Sequence, residues 1–449
     1  MEIIILAAGN AAKFFPYDAT VPKTLRKAAG KPLLLWNVQA LRSMTDAPIR
    51  VMARPRDAGA IRAALDGWGE VSVCPVETAG TAETLLLGMS EDEGAEYLVL
   101  YGDTVMDPHD LRALLERPSP TALVYPLRES ARNHIACALE DGALGRIGAH
   151  DRGNAMTHFF AAFRLNGGFR RALERTPSYF PQVKVGVSVP CEPYLEAALL
   201  GCGPIWALEG TGWCFDVDKP WHLLEANAFL VALRCGALRE NLLSPGSRMD
   251  ATAQVDGYVS LGRGSVLGKN VRVYGSLVVG EDTVIDNGAV FMGNCVVGDR
   301  CTVRNYCQIY DGCAIGDDCI VDHCAELLGG MLMDKVYLYH YGEFYGCIGS
   351  YSDLGAGTTC GTLRFDDRDA PQRVNGRREP GEHPFFSATY LGDYVRTGVH
   401  TVFMPGAKVG SGSVIGPGVI VEHEVPHGVR LSLRQTLEQG SWGPEQYGW

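Results

Sequence analysis

The chain of 449 residues lacks several features that would classify it quickly. No apolar run reaches the roughly 18 residues needed to cross a bilayer, so no membrane span is expected. Glu2 directly follows Met1, and the apolar stretch behind it is too short for a signal peptide. A cytoplasmic chain with no membrane partner is therefore expected. No basic run exceeds Arg170-Arg171 or Arg377-Arg378, and the net charge is −12, which argues against a nucleic-acid partner. The 14 cysteines contain no C-x-x-C pair, so their spacing is not that of a zinc site. The remaining composition, 46% apolar and 20% charged, is ordinary for a globular protein of two or three domains.

The second half contains a period. Val255, Leu261, Leu267, Val273, Val279, Ile285, Phe291, Val297, Val303, Ile309, Ile315 and Val321 recur every six residues. The ladder falters in the 330s and 340s, restarts at Ile348 and Leu354, and resumes after an interruption as Leu391, Thr397, Phe403, Val409, Ile415 and Val421. A period of six suits a three-sided coil in which each side is a short parallel strand with its aliphatic residue pointing inward. Stacked coils bury each other's faces, so an isolated repeat would not be stable. Cys295, Cys301, Cys307, Cys313 and Cys319 occupy one slot of this repeat. They are expected as small packing residues, with neither disulfide nor metal.

The first half alternates short apolar runs with helical patterns. Strands are expected at Ile3–Ala7, Ile49–Ala53, Val71–Pro75 and Tyr97–Tyr101, and helices at Pro32–Met44, Ala58–Trp68 and Thr81–Met89. Such alternation predicts a Rossmann-like α/β domain, a parallel sheet with helices on both faces and ligands at its C-terminal edge. Asp218–Arg234 reads as a helix leading to the repeat domain. The expected division is an α/β domain over 1–230, a linker over 231–252, the coil over 253–428 with an insertion at about 364–390, and a tail over 429–449.

The first strand runs into Ala8-Gly9, followed by Lys13 and then Pro22-Lys23. A small-residue turn lets backbone N–H groups approach a phosphate, and lysines supply mobile positive charge. Leu6 to Lys13 followed by Pro22-Lys23 resembles the L-A-A-G-x-G-x-R and P-K signature of sugar-1-phosphate nucleotidyltransferases. Ala11 replaces the second glycine and Lys13 the arginine. The strand ending in Gly102-Asp103 resembles that family's G-D motif. Trp213 to Asn227, WCFDVDKPWHLLEAN, resembles its W-x-D-V-x-x-P-W-x-L-L-x-A-N.

The resemblance implies a magnesium ion held by Asp103 and Asp216, with Lys23 and Lys13 as catalytic cations. It implies nucleotide contacts from Leu6, Ala7, Gly9, Gly80 and Thr81, and UTP or dTTP plus a sugar-1-phosphate as substrates. A plainer reading keeps Asp103 as a strand-end cap, Asp216 as a turn residue and Gly80-Thr81 as a helix start. Pro75 and Phe160-Ala161-Ala162 depart from the family's base and sugar contacts, so neither specificity carries over.

The repeat resembles the hexapeptide pattern of left-handed parallel β-helices, which implies a homotrimer. The whole chain resembles the archaeal-type bifunctional glucosamine-1-phosphate acetyltransferase and uridylyltransferase, through His340 to Glu343, Leu354 to Thr358 and Gly392-Asp393 among other segments. In that register Tyr337 stands where the acetyltransferase carries its histidine base, His340 where it carries a tyrosine, and Thr362 where it carries asparagine. Tyrosine, with a pKa of about 10, is a poor base at neutral pH. The β-helix is therefore expected as scaffold, with acyl transfer as the alternative. A catalytically silent nucleotidyltransferase-like subunit is the rival to an active enzyme. The insertion is expected as an excursion from the coil, an arm toward a neighbouring subunit.

Overall fold

The computed structural model describes residues 1–128, 134–149, 155–176, 195, 198, 199 and 201–446. Among these, a nine-stranded sheet forms the first half. Its order is Val71–Pro75, Ile49–Ala53, Glu2–Ala7, Glu96–Tyr101, His158–Asn166, Thr121–Pro126, Trp206–Glu209, Ala143–Ala149 and Ile135–Glu140. The first four strands are parallel, as expected from the sequence. His158–Asn166 runs antiparallel to both its neighbours, so the sheet is mixed, a correction to the parallel sheet expected. The first four strands are joined through helices, whereas Ile135–Glu140 and Ala143–Ala149 are joined by a two-residue turn that requires antiparallel pairing. Helices Leu33–Arg42, Pro55–Ala64 and Thr81–Gly88 lie close to their expected positions. Pro55 begins its helix because its fixed φ suits a first turn, which displaces the start from the expected Ala58.

The second half is a parallel β-helix of three faces. One face starts at Leu242–Leu243, a second at Arg248–Met249 and a third at Gln254–Val255, and each strand pairs with the strand one coil later. Regular coils advance 18 residues, as in Val259 opposite Leu277 and Val266 opposite Val284. All twelve aliphatic or aromatic positions from Val255 to Val321 lie in these strands, and all but Val255 are fully buried. This column is the core of the domain, continuing through Phe344, Ile348, Phe403 and Ile415. Each such side chain contributes about 1.5–3 kcal/mol relative to exposure, provided the next coil covers it. This is the hexapeptide architecture expected of the left-handed form.

Two boundaries differ from expectation. Helix Pro220–Gly236 lies two residues later than expected, and the coil begins at Leu242, inside the stretch expected as linker. Arg430–Leu431 pairs with Val414–Ile415, so the coil reaches into the expected tail. Both shifts follow from two-residue strands too short to show a period at the domain's ends. The ladder's falter near 330–350 is a pair of short coils, with Met331 opposite Cys347 and Glu343 opposite Thr359. The insertion then separates Ile348 from its partner Leu391.

The five cysteines are buried and free. Their environment is more polar than small hydrophobes require. Cys301 Sγ donates to the Gly316 carbonyl at 2.9 Å, and Thr283 and Ser265 in the same column donate to Gly298 and Gly280 at 2.7 and 2.6 Å. The slot selects a small donor, which a thiol supplies weakly.

Candidate active site

Strands Glu2–Ala7 and Glu96–Tyr101 end side by side, with Leu6 opposite Tyr101. Their C-terminal turns carry Gly9 and Asp103. Gly102 has no room for a side chain, because a Cβ there would lie 2.9 Å from Thr24 Cγ2 and 3.2 Å from Ala7 Cβ. That close approach seats the turn Lys23–Leu25 beside Asp103, and Lys23 Nζ pairs with Asp103 Oδ2. Asp218 Oδ1 lies 3.8 Å from the same ammonium, while Asp218 Oδ2 pairs with Lys13 Nζ at 3.0 Å. Asp216 ends the strand Cys214–Asp216, which is paired antiparallel with Thr104–Met106. The Val217 N–H donates to the Asp103 carbonyl at 3.0 Å, so the two aspartates sit on adjacent backbones. A pocket of about 200 Å³ brings together Lys13, Thr81, Asp103, His134, Asp216 and Asp218.

Burial and charge push these groups in different directions. Burial opposes the Lys23 ammonium, but Asp103, Asp218 and Asp216 outweigh it and hold its pKa above the ordinary lysine value. Burial lifts the Asp103 carboxyl above its usual range, because Lys23 offsets only part of the cost and Asp216 adds repulsion. Burial would lift Asp216 too, but His134 Nδ1, 3.0 Å from its Oδ2, carries it below the usual range. Asp218 is held well below, since Lys23 and Lys13 overcome its burial. Carboxyls so close together whose pKa values are driven apart are a feature that candidate sites for chemistry share.

The donor set suits a hard divalent cation, because Asp103 and Asp216 present oxygens into one pocket. Among the described residues no group of three or more His, Cys, Asp or Glu is arranged to hold a metal. An ion bound to two carboxylates would complete its shell with water and phosphate oxygens, as magnesium commonly does.

Gly9 is exposed, and a Cβ there would meet nothing within 4 Å, so the space above the loop is open to a ligand. Ala11, in place of the family's glycine, keeps the left-handed conformation that glycine favours, at φ 55°. Leu6 and Ala7 are buried at the strand's end, and Gly80 caps the helix that Thr81 opens. Asp218 and His134 were not anticipated, whereas Phe160, which also lines this pocket, falls in the segment aligned with the family's sugar contact. Asp218 was legible, since strand alternation around the buried Val217 puts it on the face of Asp216. His134 carried no local signal.

The residues aligned with the acetyltransferase centre are dispersed. Tyr337 is largely exposed on a coil face, edge-on to Tyr339. The His340 ring stacks on His323 of the preceding coil, with centroids 5.4 Å apart. Thr362 lines a separate hollow with Tyr345, Asp369 and Ser387.

The β-helix holds the loop that carries the lysines. Arg26 Nη1 and Nη2 donate to Asp393 Oδ1 and Oδ2, both at 2.8 Å, and neither side chain is more than 2% exposed. The Thr20 hydroxyl also donates to Asp393. Tyr17 donates to the Cys347 carbonyl at 2.7 Å, Ser411 donates to the Pro16 carbonyl at 3.0 Å, and Lys27 pairs with Asp317 and Asp334. Helix Pro220–Gly236 lies on the first coil face, burying Trp221, Leu230 and Val231 against Val296, Ala314 and Met331. The insertion, expected as an arm toward a neighbouring subunit, packs at its C-terminal end on this same chain. Its His383 meets Glu225 at 3.3 Å, and Phe386 packs edge-on to Trp221 at 5.0 Å. Apolar residues at its base and a partner on the helix favour local closure.

Two family models match separate parts of the chain. Residues 3–165 match the model of the MobA-like NTP transferase domain, and residues 238–336 match that of the GMPPB C-terminal domain. The bifunctional protein GlmU of Methanococcus maripaludis strain S2 is 24% identical over 430 residues, covering 95% of each chain. A bifunctional sugar-1-phosphate nucleotidylyltransferase/acetyltransferase of Sulfurisphaera tokodaii is 36% identical over 76 residues, 17% of this chain and 19% of that one. Among solved structures, the inositol-1-phosphate CTP transferase from T. maritima aligns with 49% of this chain and 90% of its own, at 16% identity and a TM-score of 0.42. The chain therefore carries a region that matches the MobA-like NTP transferase domain model, followed by a β-helix, and it resembles bifunctional GlmU proteins of methanococci along almost its whole length.

Proposed function

We propose that the chain transfers a nucleotidyl group from a nucleoside triphosphate to a sugar-1-phosphate. An acceptor phosphate oxygen attacks the α-phosphorus, a new P–O bond forms, and the bond to the leaving pyrophosphate breaks. The observation that carries this reading is the pocket at the ends of the parallel strands, where two lysines and three aspartates converge. Lys23, the more buried cation, is assigned to the phosphates that react, and Lys13 to the triphosphate tail. Leu6, Ala7 and Gly9 line the nucleotide's approach, with Gly80 and Thr81 at its other side. Asp103 and Asp216 would hold Mg2+, which when bound neutralises phosphate charge. Asp218 keeps both lysines in place until phosphate oxygens replace it as their partner. UTP or dTTP is the assigned donor, and a cytoplasmic homotrimer joined through the β-helix the assigned assembly.

A pyrophosphate-release assay over four triphosphates and a panel of sugar-1-phosphates tests this. Turnover with at least one pair is expected. Folded protein that releases no pyrophosphate with any pair would favour the silent-subunit reading.

A further inference from the structure

Asp216 lies between two open spaces. One is the pocket of about 200 Å³ that it shares with Lys13 and Asp103. The other is an adjoining cavity of about 570 Å³, walled in part by Glu379, His383 and Phe386 of the insertion. Packing therefore does not fix which way the carboxylate turns. His134 lines both spaces and supplies the constraint, with its Nδ1 at 3.0 Å from Asp216 Oδ2. An ionised carboxylate only accepts, so the hydrogen of this contact sits on Nδ1, in the imidazole and the imidazolium alike.

The imidazole is itself held. Strand Ile135–Glu140 pairs with His158–Asn166, with Ala136 opposite Phe159, and His134 stacks on the Phe159 ring with centroids 5.0 Å apart. Phe159 stacks in turn on Tyr125 at 6.1 Å, and the Tyr125 hydroxyl donates to Asp110 Oδ2 at 2.7 Å. Asp110 is anchored by the Thr211 and Gly212 N–H groups at 3.1 and 2.8 Å. None of His134, Phe159 and Tyr125 is more than 8% exposed. The donor is thus aimed by a braced column of rings before any ligand arrives. The neighbouring carboxylates are committed as well. Asp103 Oδ2 pairs with Lys23 Nζ, and Asp218 gives its two oxygens to Lys13 and Lys23.

We propose that His134 is a positioning residue that makes Asp216 a one-oxygen ligand and thereby selects magnesium over calcium. The inference rests on Asp103 and Asp216 as the cation ligands and adds what sets the choice of cation. Magnesium demands near-octahedral geometry and takes single carboxylate oxygens beside water and phosphate. Calcium takes more oxygens at longer distances and accepts carboxylates that give both of theirs. With Oδ2 held by His134 in one case and by Lys23 in the other, each aspartate has one oxygen left to offer. That arrangement suits the smaller ion and denies the larger its chelating ligands. Without the Nδ1–H, the Asp216 carboxylate is free to turn between the two spaces and present both oxygens.

The test measures Mn2+ binding to the full chain from the free-ion electron spin resonance signal, with Mg2+ and Ca2+ as competitors. His134→Phe keeps a ring to stack on Phe159 and removes the N–H, and its competition ratio should shift about tenfold toward Ca2+. His134→Asn removes the ring and keeps an amide N–H where Nδ1 stood, so it should retain most of the wild-type ratio. A packing role predicts the reverse order. A ratio unchanged in His134→Phe would overturn the proposal, and so would a ratio lost in His134→Asn, which decides the matter even if the Phe variant fails to fold. Equal Mn2+ binding by wild type and Asp216→Ala would overturn it together with the metal assignment. The expected shift in ratio, with no pyrophosphate release from any triphosphate, would count against the nucleotidyl-transfer reading alone.

Discussion

The two halves of the molecule use charge in opposite ways. On the β-helix, Arg300 meets Asp318 one coil later at 2.7 Å, both on the outside, where water screens the pair and it contributes little. In the α/β half, Lys23 meets Asp103 and Asp218 in a pocket where burial and neighbouring charge compete and shift the pKa of all three. The coil repeats one environment every 18 residues, so a slot that accepts Ser265 accepts Thr283 and Cys301 for the same reason. Such regularity yields stability. Chemistry needs unlike groups from distant loops, and the α/β half supplies them. Yet the halves are coupled, because the β-helix clamps the lysine loop through Asp393 and walls the adjoining cavity through its insertion.

Breaking that coupling should have the largest effect. Asp393→Ala leaves the Arg26 guanidinium buried without its carboxylate, a loss of about 3–5 kcal/mol. Denaturant unfolding should show that loss, and turnover should fall with it as the Lys23 loop loosens. A variant as stable and active as wild type would show the halves to be independent. Within the α/β half, Asp103→Ala and Asp216→Ala should each lower turnover at least a hundredfold, about 2.7 kcal/mol. The Asp103 variant should keep its melting temperature, because burial already disfavours that carboxylate's charged form. Steady-state rates alongside thermal melts separate the two effects.

Acid sharpens the same comparison. Burial opposes the Asp393 carboxylate, but Arg26 holds its pKa below the usual range. A group so depressed adds stability that is fully present above about pH 4 and lost as pH falls through its folded value. Wild type should therefore lose stability below about pH 4 more steeply than Asp393→Asn, measured by urea midpoints across pH. The smallest effect belongs to the coil. Cys301→Ser should change stability by less than about 1 kcal/mol, since Ser265 and Thr283 already fill that column. Elemental analysis should find no zinc bound to the five thiols.

Much of the fold was readable because it is local. Six-residue spacing named the coil strands from Gln254–Val255 to Ile320–Val321 and again from Thr389–Leu391 to Ile420–Val421, but not those between Glu326 and Phe344. Strands at Ile49–Ala53 and Val71–Pro75 matched to the residue. The short strands at Leu242 and Arg430 escaped, being too brief to display a period. In the site, Asp103, Asp216, Lys13 and Lys23 were legible from motifs, and Asp218 from alternation beside Asp216. His134 was not, because nothing near it in the chain indicates that it will meet Asp216.

By itself the sequence determined the two architectures and the chemical types available to the site, since periodicity and short motifs depend on neighbours along the chain. The tertiary structure decided which charges meet. It placed Asp393 on Arg26, packed the C-terminal end of the insertion on its own α/β domain, and split two adjacent aspartates into one with a raised pKa and one with a lowered pKa. Those outcomes depend on burial and on distances between residues far apart in the chain, and both exist only once the chain is packed.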